Sequence, residues 1–177
     1  MIAQFVEAVV GEAHLLTLFI QGFSAFWEKA ARGGLSGQRF PWGNTISWSQ
    51  ANYYCYPHSL GGLAFDFGTA INFDPTFTTG NLYSSPVGYF APNGYGLYDM
   101  TGNVFQWCWD WWDAGWYSNA GVTQNDTRGP TSGSYRVFRG GSWNKVAFYC
   151  RSACRFGYSP ADNSNGTGLR SVLPPGQ

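Results

Sequence analysis

The side chains able to do redox, nucleophilic or metal chemistry are few in this sequence: Cys55, Cys108, Cys150, Cys154, His14 and His58. Four cysteines are too sparse to staple a chain of 177 residues as a disulfide framework. On an extended segment, Cys150 and Cys154 would share a face with Cα atoms about 13 Å apart, beyond disulfide reach. Tetrahedral zinc needs three or four ligands, and each histidine stands alone in sequence. Both read as ordinary surface or core histidines. The tryptophans of Phe105-Gln-Trp-Cys-Trp-Asp-Trp-Trp first suggest a carbohydrate platform. On a strand, however, Trp107, Trp109 and Trp111 would share one face, which is what a core-facing strand looks like. Trp116 and Tyr117, beyond that run and next to Gly115, are the better candidates for exposure.

The elements that must position these groups are short. Ser24 is a fair N-cap for a helix over residues 24–32, with Gly33-Gly34 as its stop. Ser47-Trp48-Ser49-Gln50 has capping-box spacing and predicts a second helix through about Tyr54. Turn formers recur from Pro57 to Pro92, the mark of a long irregular excursion. Strands are expected at 104–109, 135–139, 148–154 and 169–172, with a polar loop at 119–134. Residues 2–20 have helical phasing through Phe5, Val9, Leu16 and Ile20, and are expected to form a helix lying against the domain. Glu7 and Glu12 argue against a membrane span there, and no basic n-region supports a secretory signal.

Charged residues make up 11% and aromatics 19% of the chain, against roughly 25% charged in ordinary globular proteins. A chain so poor in charge must solvate itself through Gly, Ser, Asn, Thr and backbone, hence many loops. Ten basic residues balance ten acidic ones, and no basic cluster exists, so the footprint of a nucleic-acid binder is missing.

Residues 136–173 combine a rigid frame with loose fillers. Arg139, Gly140, Gly141, Ser142, Trp143, Cys150, Arg151, Arg155, Pro160, Gly168 and Arg170 form the frame. Val146, Phe148, Tyr149, Cys154, Phe156, Gly157, Tyr158, Asp162, Ser164 and Asn165 follow neither a helical nor a strand period. The pattern is that of a fixed backbone whose side chains are free to differ, which favours binding over catalysis. The arginines Arg139, Arg151, Arg155 and Arg170 are expected to be buried against backbone carbonyls.

The frame has relatives. Gly96-Leu-Tyr-Asp-Met-Thr-Gly-Asn-Val-Phe-Gln-Trp107, Asp110-Trp111, Arg139-Gly-Gly-Ser-Trp143, Cys150-Arg-Ser-Ala-x-Arg155, Pro160 and Gly168-Leu-Arg170 resemble the formylglycine-generating-enzyme (sulfatase-modifying-factor) domain. So do Trp27-Glu-Lys-Ala-Ala-Arg-Gly-Gly34, Phe40-Pro-Trp-Gly43, Pro86-Val-Gly88 and Pro92-Asn93. Phe105, Gln106 and Leu169 depart from the usual Trp, Glu and Phe. The resemblance implies an irregular α+β, C-type-lectin-like fold over residues 23–177, with 1–22 outside the usual lead-in. It also implies a calcium site on Asp99 and Gln106 side chains and Gly102 and Val104 carbonyls, oxygen ligation that suits calcium. The charge lost at Gln106 would weaken that site, and no cofactor is required by the reading.

The family's oxidases hold copper on two cysteines, separated by four residues, shortly after the Gly-Gly-Ser block. Thiolates select Cu(I), but residues 144–149 contain none. The family's iron-dependent sulfoxide synthases need a histidine cluster, which two isolated histidines cannot supply. Neither activity is expected. The chain looks more like the variable proteins of diversity-generating retroelements, whose Asn-rich templates are mutated at adenines in the first two codon bases. Such codons reach fifteen residue types but never Lys, Gln, Glu, Met or Trp. Every filler falls inside the permitted set, and Lys145 does not.

The expectation is therefore a non-catalytic, ligand-displaying protein with a variable region at 144–167, its anchors Phe148, Tyr149, Phe156 and Tyr158 mixed with Ser, Asn and Gly as in antibody paratopes. These fillers are expected to share one exposed patch, joined by Trp116 and Tyr117. Its partner would be a protein or cell-surface ligand, and the resemblance points to a surface or extracellular location. The alternatives are an enzyme or pseudo-enzyme of the same superfamily, and a lectin.

Overall fold

The computed structural model describes residues 6–8, 24–78, 83–118, 129–161 and 164–172. The only α-helix among them, α1 (Ser24–Arg32), buries Ser24, Trp27 and Ala31 and carries Lys29 and Arg32 in its last turn, where cations favour the helix dipole. Gly33 ends it in the left-handed region at φ 55. A Cβ there would lie 2.7 Å from the Gly94 nitrogen, so only glycine lets the two loops meet.

The strands are β1 (Val6–Ala8), β2 (Phe105–Trp111), β3 (Arg136–Arg139), β4 (Phe156–Tyr158), β5 (Thr167–Gly168) and β6 (Arg170–Val172). Four of them make the central sheet, in the order β4-β3-β2-β5. β3 runs antiparallel to both β2 and β4, and β5 runs parallel to β2. β1 pairs with β6 in a separate parallel ribbon. Loops and single turns make up most of the remainder, including 3-10 turns at His58–Leu60, Pro75–Phe77 and Trp116–Ser118. Two apolar clusters form the core, the second of them built on β2 and β3. One gathers Phe40, Ile46, Ala51, Tyr53, Cys55, Ala147 and Cys150; the other gathers Trp27, Ala31, Leu97, Met100, Cys108 and Val137.

The β2 side chains alternate against expectation. Gln106, Cys108 and Asp110 are buried, while Trp107 and Trp111 are half-buried and Trp109 is 55% exposed. The three tryptophans do share a face, but it is the outer one. The inner face is polar because α1 offers polar partners: Trp27 Nε1 donates to Gln106 Oε1 at 2.8 Å, and the Ser24 amide donates to Asp110 Oδ2.

Other expectations need correction. Residues 47–54 make one turn rather than a helix. Gln50 Oε1 does accept from the Ser47 amide, as capping-box spacing suggested. Beyond it, Asn52 O accepts from the Asn103 amide and the Tyr54 amide donates to Lys145 O, so tertiary bonds win over the local signal. Residues 148–154 are successive turns rather than a strand, with Tyr149, Cys150 and Cys154 amides donating to Val146, Ala147 and Arg151 carbonyls. Around the expected N-terminal helix, Val6–Ala8 is a strand, its backbone bonds met by β6; the rest of 2–20 lies outside the described residues.

Candidate binding face

Arg139 anchors the polar interior. It is fully buried, and its Nη1 donates to the Ser152 and Cys154 carbonyls at 3.2 and 3.1 Å. Its Nη2 donates to Ser24 O and Oγ at 3.0 Å and lies 3.2 Å from Glu28 Oε2. One guanidinium thus ties β3 to α1 and to the turn carrying residues 152–154. Arg170 is also buried, donating to Tyr98 O and Gln106 Oε1. Arg155 is half-buried and donates to Asp113 O. Arg151 departs from the expectation: it is half-exposed, its Nε donates to the Phe148 carbonyl, and its guanidinium lies over the Phe148 ring at 3.9 Å. With residues 148–154 folded into turns, its side chain leaves the interior.

That same turn presents the fillers outward. Phe148 is 39% exposed, Val146 and Tyr149 are half-buried, and Ala147 and Cys150 take the inward positions. Phe148 meets Tyr149 at 5.5 Å between ring centroids, and Tyr149 meets Phe156 on β4 at 4.7 Å. Phe156 pairs across the ladder with Phe138, onto which Tyr158 stacks at 5.2 Å. Phe138 in turn packs edge-on against Trp107 at 3.8 Å. The four aromatic fillers and the outer face of β2 therefore form one continuous aromatic surface over the buried Phe138.

Not every filler joins it. Cys154 is buried at 8% exposure. Gly157 faces inward, and a Cβ there would come 2.5 Å from the Trp112 ring. Ser164 and Asn165 are exposed but lie beside β5, across the sheet from β4, where Asn165 O accepts from Trp143 Nε1. Asp162 lies outside the described residues. Tyr117 is exposed and sits 5.0 Å from the Arg155 guanidinium, at the end of β4, while Trp116 is half-buried. The sequence reading missed Trp107, Trp109 and Arg136 as parts of this face. The Arg136 guanidinium stacks on Trp111 at 3.5 Å and over Trp109 at 4.8 Å. A signal did exist: alternation in Arg136-Val-Phe-Arg139 puts Arg136 beside Phe138, marking that side as amphipathic.

Residues 99–106 form a tightly bonded hub in which Asp99 Oδ1 and Thr101 Oγ1 are buried without a partner among the described residues. Asp99 and Asn103 adopt positive φ, at 54 and 62. Asn103 brackets Ser85, accepting from its amide and donating to its carbonyl. Asp99 Oδ2 accepts from the Gly88 amide, and the Gly102 amide donates to Gly140 O. The Gln106 oxygen accepts from Trp27 and Arg170, and its amide nitrogen donates to Asp99 O at 2.8 Å. Val104 is half-buried at the entry to β2. Both lone pairs on Gln106 Oε1 are engaged, whereas Asp99 Oδ1 is buried with no hydrogen-bond partner among the described residues. Within the set Asp99, Gly102, Val104 and Gln106, the Asp99 carboxylate thus keeps an oxygen that could face a calcium ion and the Gln106 oxygen does not. Burial raises the Asp99 carboxyl and lowers the Arg170 guanidinium to about 10.

All four cysteines are free and buried. Burial pushes the Cys55 and Cys108 thiols up to about 12, and raises Cys150 and Cys154 as well. The thiolate is the form that attacks or binds metal, so none is poised for that chemistry. No cluster of three or more His, Cys, Asp or Glu able to hold a metal occurs among the described residues, and no described helix is long and apolar enough to cross a membrane.

Residues 24–174 match the Sulfatase-modifying factor enzyme 1-like domain family. The formylglycine-generating enzyme of Thermomonospora curvata is 40% identical over 155 residues, spanning 85% of this chain and 48% of the relative. The inactive C-alpha-formylglycine-generating enzyme 2 of Mus musculus is 34% identical over 157 residues, 85% of this chain and 42% of the relative. Among solved structures, Treponema denticola variable protein 1 aligns with a TM-score of 0.55 at 31% identity, covering 84% of this chain and 45% of that one. The chain thus spans about half the length of the relatives it matches. One helix, a few short strands and many loops make up the described part of this chain's fold, and the chain belongs to the sulfatase-modifying factor enzyme 1-like domain family.

Proposed function

We propose that this domain is a binding module that presents changeable side chains on a fixed C-type-lectin-like scaffold, in the manner of a retroelement-diversified variable protein. The observation that carries the reading is the division between Arg139, which closes the interior, and Phe148, Tyr149, Phe156 and Tyr158, which make one contiguous outward surface. Exchange of these side chains leaves the polar interior untouched. The likeness to Treponema denticola variable protein 1 supports the same reading. Aromatic anchors supply large contact area at small entropic cost, and they dominate binding hot spots. The ligand is a protein or a cell-surface structure.

The second reading, a formylglycine-generating enzyme or a pseudo-enzyme, draws on the 40% identity to the Thermomonospora curvata enzyme. Against the active form stand residues 144–149, which carry no cysteine after Gly140-Gly141-Ser142, and four buried thiols whose pKa values are raised by burial. Two experiments separate the readings. Sequencing the natural source across codons 144–167 should reveal substitutions of the adenine-accessible kind at outward positions; an invariant stretch would remove the basis of the proposal. Incubation with copper and a cysteine-containing sulfatase peptide should leave the peptide mass unchanged. Aldehyde formation would establish the second reading.

A further inference from the structure

The ladder between β2 and β3 is interrupted on the outer face. Trp107 pairs with Phe138 and Trp111 with Arg136, so Cys108, Trp109 and Asp110 stand opposite Val137 alone. Such a bulge takes residues out of the ladder and re-aims a side chain. The Trp109 carbonyl is met instead by a side chain, accepting from Arg136 Nη1. The Trp109 ring is 55% exposed, and the half-buried Arg136 guanidinium lies over it at 4.8 Å and on Trp111 at 3.5 Å. A guanidinium carries five N–H donors in a planar fork, and the two rings and one carbonyl hold this fork in place. Asp110, the carboxylate that bears on Arg136 among the described residues, is buried on the inner side of β2 and accepts from the Ser24 amide.

We propose that Trp109 and Arg136 form a constant subsite of the binding face, one that takes the carboxylate of an acidic side chain on a protein partner. The inference rests on the binding-module reading above. Both residues lie on β2 and β3, outside residues 144–167, so exchange of the fillers leaves the subsite in place. β2 is two strand spacings from β4, about 10 Å, which about three residues of an extended segment cover. One segment of a partner therefore reaches Arg136 and the rings of Phe156 and Tyr158 together. At the other side of the same face, the Arg151 guanidinium lies over Phe148. Among the described residues neither Arg136 nor Arg151 is ion-paired, so the face offers cations at both ends and calls for acid in return. A planar fork pairs with a carboxylate through two parallel bonds. Aromatic rings and arginines are also the residue types enriched where proteins meet proteins.

The test pans a library of random linear peptides against the full chain and measures the enriched peptides by calorimetry on the parent, Arg136→Gln and Trp109→Ala. Peptides rich in Asp and Glu are expected, binding each variant about tenfold or more weakly than the parent. A second panning, against the chain carrying Phe148→Ser and Tyr149→Ser, should return different peptides with the same acidic bias. Peptides without that bias in either panning, or ones that bind Arg136→Gln or Trp109→Ala as tightly as the parent, would overturn the subsite and leave the binding-module reading standing. A library from which nothing binds the parent would overturn both. Should the variants lose the parent's cooperative melt, a salt series on the parent decides. Acidic peptides held by Arg136 must bind about tenfold more weakly at about 500 mM than at about 50 mM sodium chloride, and an affinity indifferent to salt would overturn the proposal.

Discussion

Arg139 and Arg151 look alike in the sequence, two arginines of one frame twelve residues apart, yet the fold treats them as opposites. Arg139 is sealed between α1, β3 and the 152–154 turn, with four hydrogen bonds and Glu28 for company. Arg151 is half-exposed over Phe148, its Nε bonded to the Phe148 carbonyl of its own turn. The contrast extends to their surroundings. The interior is ordered by polar groups with fixed partners, where one loss strands several others. The outer face is made of rings in series, where one ring can be exchanged without orphaning a partner. The domain therefore has one region that specifies its shape and another whose composition the shape does not depend on.

The largest expected effect tests the interior. Arg139→Ala leaves the Ser152, Cys154 and Ser24 carbonyls unbonded in a dry site and Glu28 with Arg32 as its remaining ion-pair partner. A loss on the order of 3–5 kcal/mol is expected, read from urea unfolding. A loss within ~0.5 kcal/mol, the level of ordinary surface changes, would break the comparison from its strong side. Gly157→Val comes next, because Gly157 is a filler by sequence and interior by position. Its new side chain must displace the Trp112 ring, for about 1–3 kcal/mol. Equal stability of Gly157→Val and the parent would restore Gly157 to the displayed set.

A smaller effect is expected at Asp110, whose carboxyl is raised chiefly by burial, against the lowering influence of the Ser24 amide and Arg155. A raised folded value means the protonated form is the one folding favours. Its contribution is complete below the ordinary carboxylate value, near 4, and is lost as pH rises through the folded value. Asp110→Asn still accepts from Ser24 and has nothing to lose with pH. Its urea midpoint should gain on the parent's as pH is raised from 4 to 7, and a gap constant with pH would refute the assignment. The smallest effects belong to the face: Arg151→Ala and Phe148→Ala should each cost no more than about 1 kcal/mol. The expectation that Arg151 would matter as a buried frame residue is thereby reversed.

The sequence carried the family, the helix at 24–32, the strands at β2, β3 and β6, and the burial of Arg139 and Arg170. Ordered motifs and turn residues act locally, so they can be read in one dimension. It misread the direction of β2 because tryptophan was expected to face inward, whereas Gln106 and Asp110 take that side by finding partners on α1. It misread residues 47–54 and 148–154 because their backbones answer to distant segments and tight turns, which no local period records. Among the fillers, Phe148, Tyr149, Phe156 and Tyr158 were legible as a group. Cys154 and Gly157 were not, since permitted composition says nothing about which way a residue points.

The claim that shape and displayed surface are separable is tested most directly by saturating two sets of positions in parallel and scoring protease resistance of the displayed chain. One set is Phe148, Tyr149, Phe156 and Tyr158; the other is Asn103, Gln106, Arg139 and Arg170. The account predicts that most members of the first library stay folded, while the second retains little beyond the parent residues. Comparable losses in both libraries would contradict it.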